Sequence, residues 1–189
     1  MLLKYFEPTK DFSWDELDTI TNKPTDKWTW PQAGLSWLST NHYDVVDIEL
    51  FDYARFMREG ENYMRELWGQ ATVAEQAKHS DIHEAQQDSV GFIENVHYEQ
   101  RIPQLKDVTH YLNEDYLVMC IINAQVLAGK SGYVGHSILV IDTYAEGFII
   151  HDPGLPPLEY RKVPYDVFQR AWADPNDSAK NLAAAKLIP

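Results

Sequence analysis

The chain has 189 residues, 44% of them hydrophobic, and carries 16 basic against 29 acidic side chains, for a formal charge of −13 with one cysteine. At this length a chain buries roughly 70% of the surface its unfolded form exposes, enough for one domain without a metal or disulfide staple. A lone cysteine excludes an intrachain disulfide and a cysteine-rich zinc site, and the acidic excess argues against nucleic acid and anionic lipid as partners, which are held through Lys and Arg.

The first six residues, Met1-Leu2-Leu3-Lys4-Tyr5-Phe6, are apolar without the charged leader of a secretory signal, so the sequence as it stands reads as cytoplasmic. Leu2, Leu3 and Phe6 fall on one helical face and read as the last turns of a helix already under way. A helix needs preceding turns, so the domain is expected to start upstream of Met1. Ser13 followed by Glu16 is a capping-box pattern opening a helix over 14–21, which Lys23-Pro24 ends. Pro31 suits the first turn of a helix over 32–41, with Gly34, Leu35 and Leu38 spaced to pack closely. The stretch 44–50, Asp-Val-Val-Asp-Ile-Glu-Leu, alternates with β-branched residues and reads as a strand.

From Asp52 to about Asn113 the pattern is mostly helical, with Tyr53, Phe56 and Met57, then Tyr63, Met64, Leu67 and Trp68, supplying apolar faces and Gly60, Gly69 and Pro103 marking breaks. After Asn113 the period becomes that of strands. Residues 116–123 form an apolar run suited to a buried strand, and Gly129, Gly132 and Gly135 punctuate a flexible loop. Residues 136–144 and 147–152 read as a hairpin turning at Ala145-Glu146-Gly147, closed off by Pro153, Gly154, Pro156 and Pro157. An amphipathic helix over 164–172 and a final strand or helix over 182–188 complete the chain. Helices first and sheet afterwards is an α+β arrangement, here a single domain over 1–189 with a helical part to about 114 and a sheet part from about 115. The apolar runs fall far short of the roughly 20 residues of a bilayer span, so no membrane span is expected.

The hairpin carries the informative chemistry. With Ala145-Glu146 at its tip, residues pair when their numbers sum to about 290, which brings His136 and Asp152 to the same open end. A carboxylate diagonal to a histidine accepts its ring N–H and leaves the other nitrogen free as a base, two thirds of a nucleophile–His–Asp triad. The competing reading makes His136 one of seven ordinary histidines and Asp152-Pro153-Gly154 a simple turn. The glycine-rich loop before His136 favours a site. Cys120 sits inside Leu117-Val118-Met119-Cys120-Ile121-Ile122, where a thiol is a buried, inert hydrophobe. A weaker alternative is metal-dependent hydrolysis, because His79 and His83 are spaced to share a helix face next to Glu84, although no third ligand is indicated. His151 alternates to the face opposite His136. The tryptophans read mostly as core, with Trp28-Thr29-Trp30 also suited to wall a cleft. Gly129-Lys130-Ser131 lacks the earlier glycine of a phosphate loop, and no cofactor motif is found.

Gly135-His136-Ser137-Ile138-Leu139-Val140-Ile141, then Gly147-Phe148-Ile149-Ile150-His151-Asp152-Pro153-Gly154, then Val163-Pro164-Tyr165-Asp166-Val167-Phe168, resemble the carboxy-terminal half of papain-like cysteine peptidases related to bacteriocin-leader-processing peptidases. The resemblance spans roughly 1–172 and is specific over about 117–172. It implies a papain-like fold, a helical lobe packed on an antiparallel sheet, and thiol-dependent cleavage of a peptide or protein substrate. It makes His136 the base and Asp152 the residue that orients it. It also implies a nucleophilic cysteine and an oxyanion-hole glutamine ahead of a segment such as Met1 to Phe6, and the chain has neither there. Two explanations stand open: the domain begins upstream of Met1, or the chain is a non-catalytic peptide-binding or regulatory relative. Substrate identity, compartment and oligomeric state are not encoded in any motif.

Overall fold

The computed structural model describes residues 1–154 and 156–188. The chain divides into two units, one of Met1–Thr9, Val45–Leu50 and Tyr98–Ile188, the other essentially of Lys10–Asp44 and Phe51–His97.

The second unit is helical, built from α2 (Trp14–Ile20), α3 (Gln32–Thr40), α4 (Tyr53–Glu59), α5 (Glu61–Trp68), α6 (Gln70–His79) and α7 (Ile82–Asn95). Ser13 caps α2 as expected: its hydroxyl accepts the Glu16 N–H while the Glu16 carboxylate accepts the Ser13 N–H. Pro31 occupies the cap of α3, which buries Leu35 and Leu38 and packs against α7. Between α4 and α5 the chain turns at Gly60 with φ +54, where a Cβ would stand 2.9 Å from the Gln86 side-chain amide. That amide donates to the Phe56 carbonyl at 2.9 Å, so only glycine leaves the α7 side chain in place. Aromatic rings fill the interior, with Trp30 stacked on Phe56 at 5.5 Å and Phe51 set edge-on to Tyr53 and Tyr63.

The first unit holds α1 (Leu2–Phe6) and a seven-stranded sheet in the order β2-β1-β7-β3-β4-β5-β6. The strands are β1 (Tyr43–Glu49), β2 (His97–Gln100), β3 (Leu117–Asn123), β4 (Gly135–Tyr144), β5 (Gly147–Asp152), β6 (Leu158–Pro164) and β7 (Asn181–Leu187). The open choice at 182–188 is thus resolved as a strand. It runs antiparallel to β3, with Ala183, Ala184 and Ala185 opposite Met119, Val118 and Leu117 and all three alanines buried. Helices α8 (Leu105–Asn113), α9 (Ala124–Leu127) and α10 (Tyr165–Trp172) complete the unit. Among the described residues four elements escape the sequence reading: β2, α9, β6 and a 3-10 turn over Asp177–Ala179.

On one face of the sheet Cys120 and Ile122 of β3, Ile138 and Val140 of β4 and Ile150 of β5 form a continuous core. Helix α10 packs against it, setting Phe168 edge-on to Phe148 at 4.8 Å and burying Trp172, whose indole N–H donates to the Asn181 carbonyl. Burial of Phe168 contributes about 2–3 kcal/mol. The turn at Ala145-Glu146 is as expected, and Gly147 is obligatory there because a Cβ would run into the Val163 carbonyl of β6. The architecture is therefore α+β, with ten α-helices and one seven-stranded sheet among the described residues. No described helix is long and apolar enough to cross a membrane.

Candidate catalytic pair

The hairpin register follows the expected pairing, with Leu139 opposite His151 and Val140 opposite Ile150, before a bulge at Ile141 shifts it by one toward the tip. Asp152 then lies diagonal to His136 on the face that also carries Ile138 and Val140. His136 pairs with Ile122 of β3 on its other side, so the ring sits at the end of the buried face, half-covered. The two side chains meet: His136 Nε2 is 2.6 Å from Asp152 Oδ1.

Asp152 is held by more than the histidine. The Gly154 N–H donates to Oδ1 at 3.0 Å, and Arg161 Nη1 donates to Oδ2 at 2.8 Å. Burial pushes this carboxyl up. The hydrogen bonds and charge of His136, the Gly154 N–H and the Arg161 hydrogen bond together outweigh it and hold the group below the usual aspartate range. An ionised carboxylate only accepts hydrogen bonds, so Nε2 is the protonated nitrogen of the neutral ring and Nδ1 carries the free lone pair. A base aimed from Nδ1 is the chemistry this arrangement supports.

The approach to His136 is fastened from below by Asn123, the last residue of β3. Its side chain is buried and makes four hydrogen bonds, donating to the Gly132 carbonyl and Asp174 Oδ1 and accepting the N–H groups of Gln125 and Val134. The Ala124 N–H adds a bond to the Val134 carbonyl. The glycine-rich segment is thereby tied to the end of β3 where it enters β4.

Other candidates separate from this pair. Cys120 lies on the same face as His136 but one pair deeper, opposite Ile138, and is buried among aliphatic side chains. Desolvation pushes its thiol up, away from the thiolate a nucleophile needs. His79 and His83 do not share a helix. His79 closes α6, Ser80 is extended, and the Asp81 carboxylate caps α7 by accepting the Glu84 N–H, so the zinc-like spacing is interrupted. His79 pairs with Glu75 at 2.8 Å and stacks on Trp28, while His83 pairs with Gln87. Among the described residues no cluster of three or more His, Cys, Asp or Glu side chains is placed to hold a metal. His151 points to the opposite face, its Nδ1 accepting the Tyr160 N–H. Trp30 belongs to the aromatic interior of the helical unit.

Arg161 and Asn123 are the site residues that sequence reasoning missed. Arg161 lies in β6, hidden behind four turn-forming residues, and its signal is the alternation of Arg161 and Val163 with exposed Tyr160 and Lys162. Asn123 shows itself only as a polar residue ending an apolar run. Comparison with known proteins gives no match, neither to a protein-family model nor to a curated protein.

Proposed function

We propose that the sheet unit is the histidine–carboxylate half of a papain-like thiol hydrolase that cleaves peptide amide bonds, with His136 as base and Asp152 as the residue that orients it. The observation that supports this reading best is the 2.6 Å contact from His136 Nε2 to an ionised Asp152, which leaves Nδ1 as the proton acceptor. In the reaction Nδ1 takes the proton of a cysteine thiol, and the thiolate adds to the amide carbonyl carbon. The imidazolium then gives the proton to the leaving amine nitrogen, and a water activated by the same histidine hydrolyses the acyl-thioester. Asp152 stays ionised throughout and holds the ring. Cys120 is too deeply buried to be that thiol, so this reading takes the nucleophile from outside the 189 residues.

The burial of the chain's one cysteine favours a second reading, a non-catalytic peptide-binding domain of the same fold. One experiment separates the two. The complete gene product is assayed for hydrolysis of a peptide-amide library, with and without iodoacetamide and as His136→Ala. Cleavage abolished by both treatments supports the hydrolase. Cleavage indifferent to His136→Ala overturns it, and peptide binding without cleavage, unchanged in His136→Ala, selects the binding domain.

A further inference from the structure

Asp152 has two oxygens and a rotatable carboxyl group at the last residue of a strand, and only Oδ1 is committed to His136 and the Gly154 N–H. Something has to stop the carboxylate from turning. The guanidinium of Arg161 spans the gap: Nη1 meets Asp152 Oδ2 at 2.8 Å and Nη2 meets the Leu127 carbonyl at 2.9 Å. A guanidinium is a rigid planar fork, so anchoring one prong on a backbone carbonyl of α9 fixes the plane in which the other receives the carboxylate.

The strand that supplies Arg161 is irregular where this matters. Arg161 faces Ile150 and Leu158 faces Asp152, so Glu159 and Tyr160 of β6 together stand against His151 alone. This is a bulge, with Tyr160 at φ +53, a left-handed conformation that a bulky residue adopts only when its surroundings impose it. A regular ladder continuing from Ile150 and Arg161 would set Glu159 directly opposite Asp152, carboxylate against carboxylate. The extra residue removes Glu159 from that position and leaves Arg161 on the face of Asp152.

We infer that Arg161 is a positioning residue which, bridging Asp152 and the Leu127 carbonyl, holds the carboxylate where it receives the His136 ring N–H and so keeps the imidazole in one tautomer. The inference rests on the hydrolase-type reading of the pair. The test is the ring nitrogen spectrum of His136 in labelled protein, with the ring neutral, for the native sequence, Arg161→Met and Arg161→Lys. The native protein is expected to show one tautomer with the proton on Nε2. Arg161→Met loses that single state to an averaged pair of nitrogens, and Arg161→Lys, which keeps a charge but no fork, gives a mixture. An unmixed Nε2–H tautomer in Arg161→Met, or in Arg161→Lys should the first variant not fold, overturns the role of Arg161 and leaves the reading of the pair standing. A native His136 protonated on Nδ1 overturns both.

Discussion

Asn123 Oδ1 accepts the backbone N–H of Val134 at 3.0 Å, so the side chain that ends β3 also fixes the residue just before the Gly135-His136 start of β4. The placement of the histidine therefore depends on an amide that touches neither His136 nor Asp152. Asn123→Ala removes the four hydrogen bonds of a buried amide and is expected to cost about 2–4 kcal/mol, since a typical hydrogen bond contributes about 0.5–1.5 kcal/mol. Thermal unfolding measures the total. Amide hydrogen exchange locates it, and a Val134 amide that exchanges as slowly in the variant as in the native protein contradicts the assignment.

Asp152 makes the pair sensitive to acid. Its folded-state value lies below the ordinary one, so its contribution is complete above the usual aspartate value, about 3.9, and fades as pH falls from there through the folded value. Asp152→Asn should lose this part of the acid dependence and be less stable at neutral pH by about 1–3 kcal/mol, because an amide cannot accept from both His136 and Arg161. Denaturant unfolding between neutral and strongly acidic pH checks both, and parallel stability curves for the two proteins would refute the prediction.

Cys120 should behave as part of the interior. Buried opposite Ile138, with its thiol pushed up by desolvation, it is expected to resist alkylation by iodoacetamide in the native protein and to react fully once the chain is unfolded. Cys120→Ser puts a hydroxyl in an aliphatic setting and should destabilise by about 1–3 kcal/mol, more than Cys120→Ala. Rapid labelling of the folded protein would show that the thiol is reachable after all.

Asp47 of β1 is a buried acid with no part in the pair. It is 4% exposed, and its Oδ2 has no hydrogen-bond partner among the described residues. Burial first, and the charge of Glu49 second, raise its carboxyl well above the usual range. A raised aspartate is the opposite case from Asp152: stability falls as pH rises from the ordinary value through the folded one, because ionisation is easier in the unfolded chain. Asp47→Asn should flatten that decline, read as unfolding free energy against pH. An unchanged slope would mean the carboxyl is charged and solvated in the fold.

The parts of the fold written in local chemistry could be read directly. Ser13 with Glu16, Pro31, the apolar run through Cys120 and the Ala145-Glu146-Gly147 turn each announce their element, and the turn alone sets a register that joins His136 to Asp152. What escaped depends on distant partners. β2 is four residues, three polar and one tyrosine, that become a strand only beside β1. β6 follows a proline-rich stretch and owes its pairing to β5. The His79 and His83 spacing misled because the Ser80-Asp81 break, with Asp81 and Glu84 in cap positions, carries a helix-start signal that outranks the periodicity around it. Arg161 shared the fate of its strand, since no local pattern says that a cation in an unrecognised strand will reach a carboxylate nine positions back.

β6 is also the last strand of the sheet among the described residues, the place where a sheet can take on a further strand. A straight apolar strand there would be a template on which a second chain could add and grow an aggregate. The bulge at Glu159 and Tyr160, the charge of Lys162 and the closing Pro164 interrupt that edge along its length. The irregularity that brings a guanidinium to Asp152 thus also breaks the regular edge on which such pairing depends.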